Sequence, residues 1–242
     1  MFGMLLACVL LAADDNRSPL DVLPATINGV DADQMLHAYL MDLADKAFAA
    51  RRAKYEAIET PEQISQYQED LYRFFVDALG GFPERSPLNA QVVGQAERDG
   101  YRIEKILFES QPKHFVTGIL YLPDAQPPYP AVLVPCGHSS TGKARDLYQR
   151  APIVLAKHGL AAFCYDPLDQ GERHQLLDAE GKPVITSSTQ GHTLAGVGAT
   201  LVGRNTATYR SWDGIRAIDY LQSRPRSTRN GSDALASPAA AR

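Results

Sequence analysis

Two short polar stretches, each directly after an apolar run, hold the residues of this chain best suited to chemistry. One is Gly137-His138-Ser139-Ser140-Thr141-Gly142-Lys143, after Ala131 to Pro135. The other runs from Asp166 through Gln170, Gly171 and Glu172 to Arg173, after Leu160 to Tyr165. The first matches G-x-x-x-x-G-K, a loop whose backbone amides and lysine cradle phosphates. Asp166 stands where an acidic magnesium partner would be. Position 144 is Ala, however, so the hydroxyl that should ligate the metal is missing. The second stretch offers Glu172 and Arg173 as a charge-assisted pair. No pair of the six histidines has metal-ligand spacing with a third ligand, so neither a metal nor another cofactor is expected.

Strand, polar loop, helix, strand, polar loop is the repeat of a parallel α/β sheet, and ligands sit at the carboxyl ends of such strands. Arg145 to His158 has the amphipathic pattern of the intervening helix, stopped by Gly159. Upstream, Tyr101 to Ser110 and Phe115 to Leu122 are strand-like and joined by a tight break, which predicts an antiparallel pair. Earlier still, helical spacing predicts one helix capped by Asp31 with Gln34 as its capping-box partner. A second is predicted after Thr60, with Gln63 in the same role, ended by Gly80-Gly81. Their apolar faces are expected to pack on the main domain. His174 to Asn205 reads as a long polar excursion, and Thr206 to Ser223 as a helix carrying Trp212 and Asp213 in structural roles.

Composition sets the outer limits. The 242 residues are 45% hydrophobic and 21% charged, which is ordinary for a globular protein. A net charge of -4 offers no footprint for nucleic acid. No apolar run is long enough for a membrane span. Phe2 to Ala13 is a short apolar core followed by Asp14 and Asp15, which reads as a secretory signal over residues 1–13 and implies a secreted or periplasmic protein. Cys136 and Cys164 remain beyond Cys8, each at a predicted core strand. Buried free thiols are expected, with a disulfide as the alternative in an oxidising compartment.

The antiparallel start, Pro135-Cys136-Gly137-His138-Ser139, the Asp166 to Arg173 run, and the segment from Arg204 to Leu221 together resemble the acetyl xylan esterase and cephalosporin deacetylase branch of the α/β-hydrolases. The resemblance covers about residues 96–225. Asp169 stands where the family usually has Gly, a position where Asp adopts a left-handed conformation less readily. The resemblance implies the N-terminal part of a three-layer α/β-hydrolase sandwich: a helical extension over 14–95, a core over 96–225, and an aberrant tail over 226–242. It also implies a carboxylic-ester hydrolase acting on a small-molecule or carbohydrate ester through a serine nucleophile. Gly137, His138 and Ser139 would then supply backbone donors to an oxyanion hole. Asp166, Gln170, Gly171, Glu172 and Arg173 would shape the active-site rim, with His192 lining the acyl pocket.

The nucleophile itself is missing. The fold places it on G-x-S-x-G after the strand that should follow Pro225, with the acid and the histidine later still. The sequence contains no such elbow, so the chain is expected to be inactive. Residues 226–242 show no apolar period. Read out of frame, their permitted codons allow a proline turn, a strand and G-V-S-G-G, which suggests a frameshift after Pro225. Three other functions remain open on sequence: a non-catalytic carbohydrate-binding pseudoenzyme, a phosphate-loop nucleotide binder, and a peptidase of the same superfamily.

Overall fold

The structure is a computed structural model that describes residues 20–224. The leader expected at 1–13, Cys8, Pro225 and the tail at 226–242 lie outside the described residues. The chain divides into two compact units, the first ending at Gln68 and the second beginning at Glu69.

The first unit opens with a two-stranded hairpin, β1 (Thr26–Ile27) and β2 (Val30–Asp31), turned by Asn28 and Gly29 at positive φ. A 3-10 turn at Ala32–Gln34 leads into helix α1 (Met35–Glu56). The capping box expected of Asp31 and Gln34 does not form. Asp31 instead ends β2, and its carboxylate accepts from the Thr26 hydroxyl at 3.2 Å. The second expected box does form, at the start of helix α2 (Pro61–Ala78). Gln63 N–H donates to Thr60 Oγ1 at 3.3 Å, and Gln63 Oε1 accepts from Thr60 N–H at 3.0 Å. Gly80 and Gly81, both at positive φ, end α2, and Gly81 N–H bonds back to the Val76 carbonyl. Within these elements themselves, neither helix contains a buried residue.

The second unit is built on a five-stranded sheet in the order β3-β4-β5-β7-β6. Strands β3 (Gln91–Arg98), β4 (Tyr101–Gln111) and β5 (His114–Pro123) form an antiparallel meander, and β5 pairs antiparallel with β7 (Ala161–Tyr165). The domain boundary expected at 95/96 therefore falls inside β3. The Gln91 to Gln95 stretch is half polar and largely exposed, which hides it from an apolar count. Strand β6 (Ala131–Pro135) pairs parallel with β7 and is connected to it by helix α3 (Asp146–Lys157), the βαβ unit that the sequence predicts.

The two faces of the sheet are covered by different helices. Ile106, Phe108, Val116, Leu120, Phe163 and Tyr165 pack against Ala217 and Tyr220 of helix α5 (Thr206–Ser223). On the other face Tyr121, Cys136, Ala162 and Cys164 pack around Ala156 of α3. The expected polar excursion contains one more helix, α4 (Ser188–Leu201), capped by the Ser187 hydroxyl. Gly191, Gly196 and Gly198 weaken its intrinsic propensity and conceal it in the sequence. The result is a mixed α/β sandwich with helices on both sides of a central sheet.

Candidate active-site rim

Strands β6 and β7 end side by side, so the loops that follow them share one edge of the sheet. The first loop leaves β6 at Cys136. Beyond it, Gly137 N–H and His138 N–H have no hydrogen-bond partner among the described residues, and both residues are exposed. Ser139 differs. Its N–H donates to Gln170 Oε1 at 2.6 Å, and its hydroxyl lies 3.2 Å from that of Thr141. Of the three amides expected to be oxyanion donors, Ser139 is thus already committed to a buried side chain. Of these three, Gly137 and His138 keep free donors among the described residues.

Gln170 is fully buried, and its Nε2 has no partner among the described residues. Asp166 and Arg173 are also buried, so three of the residues expected on the rim lie beneath it. Asp166 Oδ1 accepts from Lys143 N–H at 2.8 Å. Its Oδ2 accepts from the Thr117 hydroxyl at 2.8 Å, from Glu172 N–H at 3.2 Å and from the Lys143 ammonium. Lys143 Nζ also pairs with Glu172. A charge can be buried at tolerable cost only when its partners satisfy it, and here one carboxylate joins β5, the β6–α3 loop and the turn after β7. Gly142 and Gly171, at φ +52° and +60°, close over this carboxylate, and a Cβ on either would overlap it.

This arrangement answers the phosphate-loop reading. The Lys143 side chain is buried and held by two carboxylates, so it does not project toward a ligand. The G-x-x-x-x-G-K spacing places its glycine and lysine around Asp166 instead. Asp166 is the anion that the lysine serves.

Asp169 adopts φ +63°, as a glycine would. Its carboxylate compensates by accepting from Gln175 N–H at 2.8 Å, and its own N–H bonds to the Arg173 carbonyl at 3.0 Å. The turn therefore accommodates Asp at a left-handed position.

Arg173 reaches the other helical layer. Its Nη1 donates to Asp213 at 2.7 Å and to the Asp166 carbonyl at 2.8 Å. Asp213 also accepts from the Ser110 hydroxyl at 2.6 Å, while the Trp212 indole N–H donates to the Ser110 carbonyl at 2.8 Å. Burial raises the Asp213 carboxyl, but hydrogen bonding by His114 and the Arg173 charge more than offset it, so the group titrates below its ordinary value. The contact of Arg173 Nη2 with His114 Nε2, at 2.8 Å, completes the cluster. Sequence reading gives Trp212 and Asp213 structural roles but misses their partners. Ser110, His114 and Arg173 lie far apart in the chain, and no local pattern joins them.

His192 is carried by α4 to the exposed side of the first loop. Its ring stacks on that of His138 with centroids 5.0 Å apart, and Arg210 lies 3.3 Å from its Nδ1. Burial, then the positive charge of Arg210, then His138 lower its pKa, so His192 is neutral near pH 7. Among the described residues no group of three or more His, Cys, Asp or Glu could hold a metal ion. Chemically, the rim offers the free Gly137 and His138 amides beside the stacked rings of His138 and His192, above a self-satisfied ionic floor.

No family model and no curated protein matches the chain. Solved structures do. A provisionally assigned acetyl xylan esterase from Bacteroides fragilis NCTC 9343 matches with a TM-score of 0.57 at 22% identity, covering 69% of this chain and 45% of the other. Acetyl xylan esterase 1 from Thermoanaerobacterium sp. JW/SL YS485 matches at 16% identity and a TM-score of 0.46, over 65% of this chain and 47% of its own. An acetyl xylan esterase from Paenibacillus sp. R4 matches at 20% identity and a TM-score of 0.41, over 64% and 46%. In each case this chain spans less than half of its neighbour. With the sheet order and the two helical layers, the first of these likenesses identifies the fold: the chain carries an acetyl xylan esterase-like α/β-hydrolase fold.

Proposed function

We propose that this chain supplies the oxyanion side of a secreted serine-esterase site for acetyl or other carbohydrate esters, and that its own 242 residues do not turn esters over. The observation that carries the reading is the pair of free amides at Gly137 and His138, at the carboxyl end of β6. Negative charge develops on an ester's carbonyl oxygen during acyl transfer, and preorganised donors there are worth about 3–4 kcal/mol each. The stacked rings of His192 and His138 form the wall beside them.

A complete site would add a serine to attack the carbonyl, a histidine to take its proton and an aspartate to orient that histidine. Among the described residues no serine hydroxyl is hydrogen-bonded to an imidazole. Ser110 is bound to Asp213 and Ser139 contacts Thr141. In subtilisin, loss of the whole triad lowers turnover by about 10⁶. A frameshift after Pro225 accounts for the missing elbow, and sequencing the gene through and beyond that codon tests it: a continuation lacking Asp and His in every frame rejects it. A leader cleaved near Ala13 would be read directly by N-terminal sequencing of the exported protein.

Two assays test the central reading. The 242-residue chain should neither hydrolyse p-nitrophenyl acetate above the buffer rate nor take up a fluorophosphonate probe; a labelled serine would falsify the loss of the nucleophile. In ¹H–¹⁵N spectra, an acetylated xylo-oligosaccharide should shift the Gly137 and His138 amides while Ser139 stays in place. Unmoved Gly137 and His138 resonances would refute the oxyanion assignment.

A further inference from the structure

We propose that Cys136 and Cys164 are an intrachain disulfide site, closed when the folded chain meets a small disulfide oxidant such as oxidised glutathione. The two Sγ atoms lie 3.3 Å apart, and both thiols are free and buried. Cys164 of β7 pairs with Val134 of β6. Residues two apart along a strand share a face, so Cys136 projects to the same side as Cys164, one step farther along. Both pack in the apolar layer under α3, with Tyr121, Ala156 and Ala162 around them.

A disulfide needs the sulfurs at about 2.05 Å, so each has to move only a fraction of an ångström. Cys136 follows Pro135, the last paired residue of β6, which leaves its backbone freer to adjust than a residue within the ladder. Cys136 is also the one with some exposure, 7% against 0% for Cys164, so it meets the oxidant first. Its thiolate attacks one sulfur of oxidised glutathione, forming a mixed disulfide and releasing one glutathione thiolate. The Cys164 thiolate then attacks the Cys136 sulfur and releases the second glutathione. Two protein S–H bonds and one S–S bond are exchanged for one protein S–S bond and two glutathione thiols.

The contact with Cys164, and then burial, hold the Cys136 thiol protonated far above its ordinary range. Exchange therefore waits for local opening, and the reaction is slow rather than instantaneous. Once formed, the bond anchors the end of β6 to β7 directly before Gly137. The proposal does not depend on the ester chemistry.

The test uses the full chain, kept under native conditions with oxidised glutathione, then denatured, alkylated with iodoacetamide and digested with trypsin. Cleavage after Lys113, Lys143, Lys157 and Arg173 places the two cysteines in separate peptides, 114–143 and 158–173. The expected product is the pair of peptides linked, about 2 Da lighter than their sum, and released by dithiothreitol. A Cys8→Ser chain should give the same link. Recovery of both peptides alkylated after prolonged incubation overturns the proposal, and so does a link that joins either cysteine to Cys8.

Discussion

Asp166 has no contact with solvent, yet it accepts from Thr117, Glu172 and Lys143, the last through both its backbone and its ammonium. Removing its charge leaves Glu172, whose side chain is mostly exposed, as the remaining charged partner of the Lys143 ammonium. An Asp166→Asn substitution should therefore cost about 3 kcal/mol or more, measured as a lower midpoint in urea at unchanged slope. A loss under 1 kcal/mol would show that the carboxylate does not hold the loops together. Asp169 makes a separate test. Alanine at φ +63° keeps the backbone strain and loses the acceptor for Gln175 N–H, whereas glycine relieves the strain while losing the same bond. Asp169→Ala should destabilise by about 1–3 kcal/mol, and Asp169→Gly should lie within about 1 kcal/mol of the parent chain. Equal losses in both variants would reject the compensation argument.

At the scale of elements, the cluster around Asp213 is what fastens α5 to the sheet and to the loop after β7. It joins β4 through Ser110, β5 through His114 and the turn through Arg173. Because folding lowers the Asp213 pKa, the ionised carboxylate favours the folded chain. That contribution is complete above the unfolded carboxylate value of about 4, and it is lost as the pH falls through the lower folded value. Asp213→Asn should therefore be less stable than the parent between pH 5 and 7. The gap should narrow only when the pH drops below about 4. Denaturant melts at several pH values measure this, and a gap that stays constant into acid would remove Asp213 from the pH dependence. Helix α4 matters differently: it is held to α5 by the Thr206 hydroxyl on the His192 carbonyl at 3.1 Å, and this contact helps to bring His192 to His138.

For the sheet-bearing unit as a whole, the outer side of β6 is the consequential feature. Among the described residues β6 is an edge strand with no neighbour on that side. Beside it runs a trough of about 470 Å³, lined by the apolar Leu133, Ile218 and Leu221 and by the polar Arg102, Gln222 and Arg224. An unpaired edge next to exposed apolar surface favours association between chains. Sedimentation velocity should show the 242-residue chain forming larger species as its concentration rises, and Ile218→Lys, on the exposed part of the trough, should reduce them. A chain that stays monomeric throughout would mean that this edge is covered.

The sequence by itself determined the α/β class, the βαβ unit from β6 to β7, the antiparallel pair β4 and β5, and the bounds of α5. Each rests on local pattern, period-two or period-3.6 apolar spacing; the reciprocal capping bonds of Asn205 and Thr208 at the start of α5 emerge only from the structure. It also located both loops of the rim, because polar residues after buried strands are a local signal. It missed β3, whose first residues are polar and exposed, and α4, whose glycines mask the helical period. Only the tertiary structure decided how the rim is wired. The Lys143 motif points to a phosphate when read along the chain, and to Asp166 when read in space. Likewise, whether Gly137, His138 or Ser139 keeps a free amide depends on Gln170, thirty-one residues away from Ser139. Local propensity can fix where a strand ends, but a donor's partner is chosen by burial, and burial is a property of the whole fold.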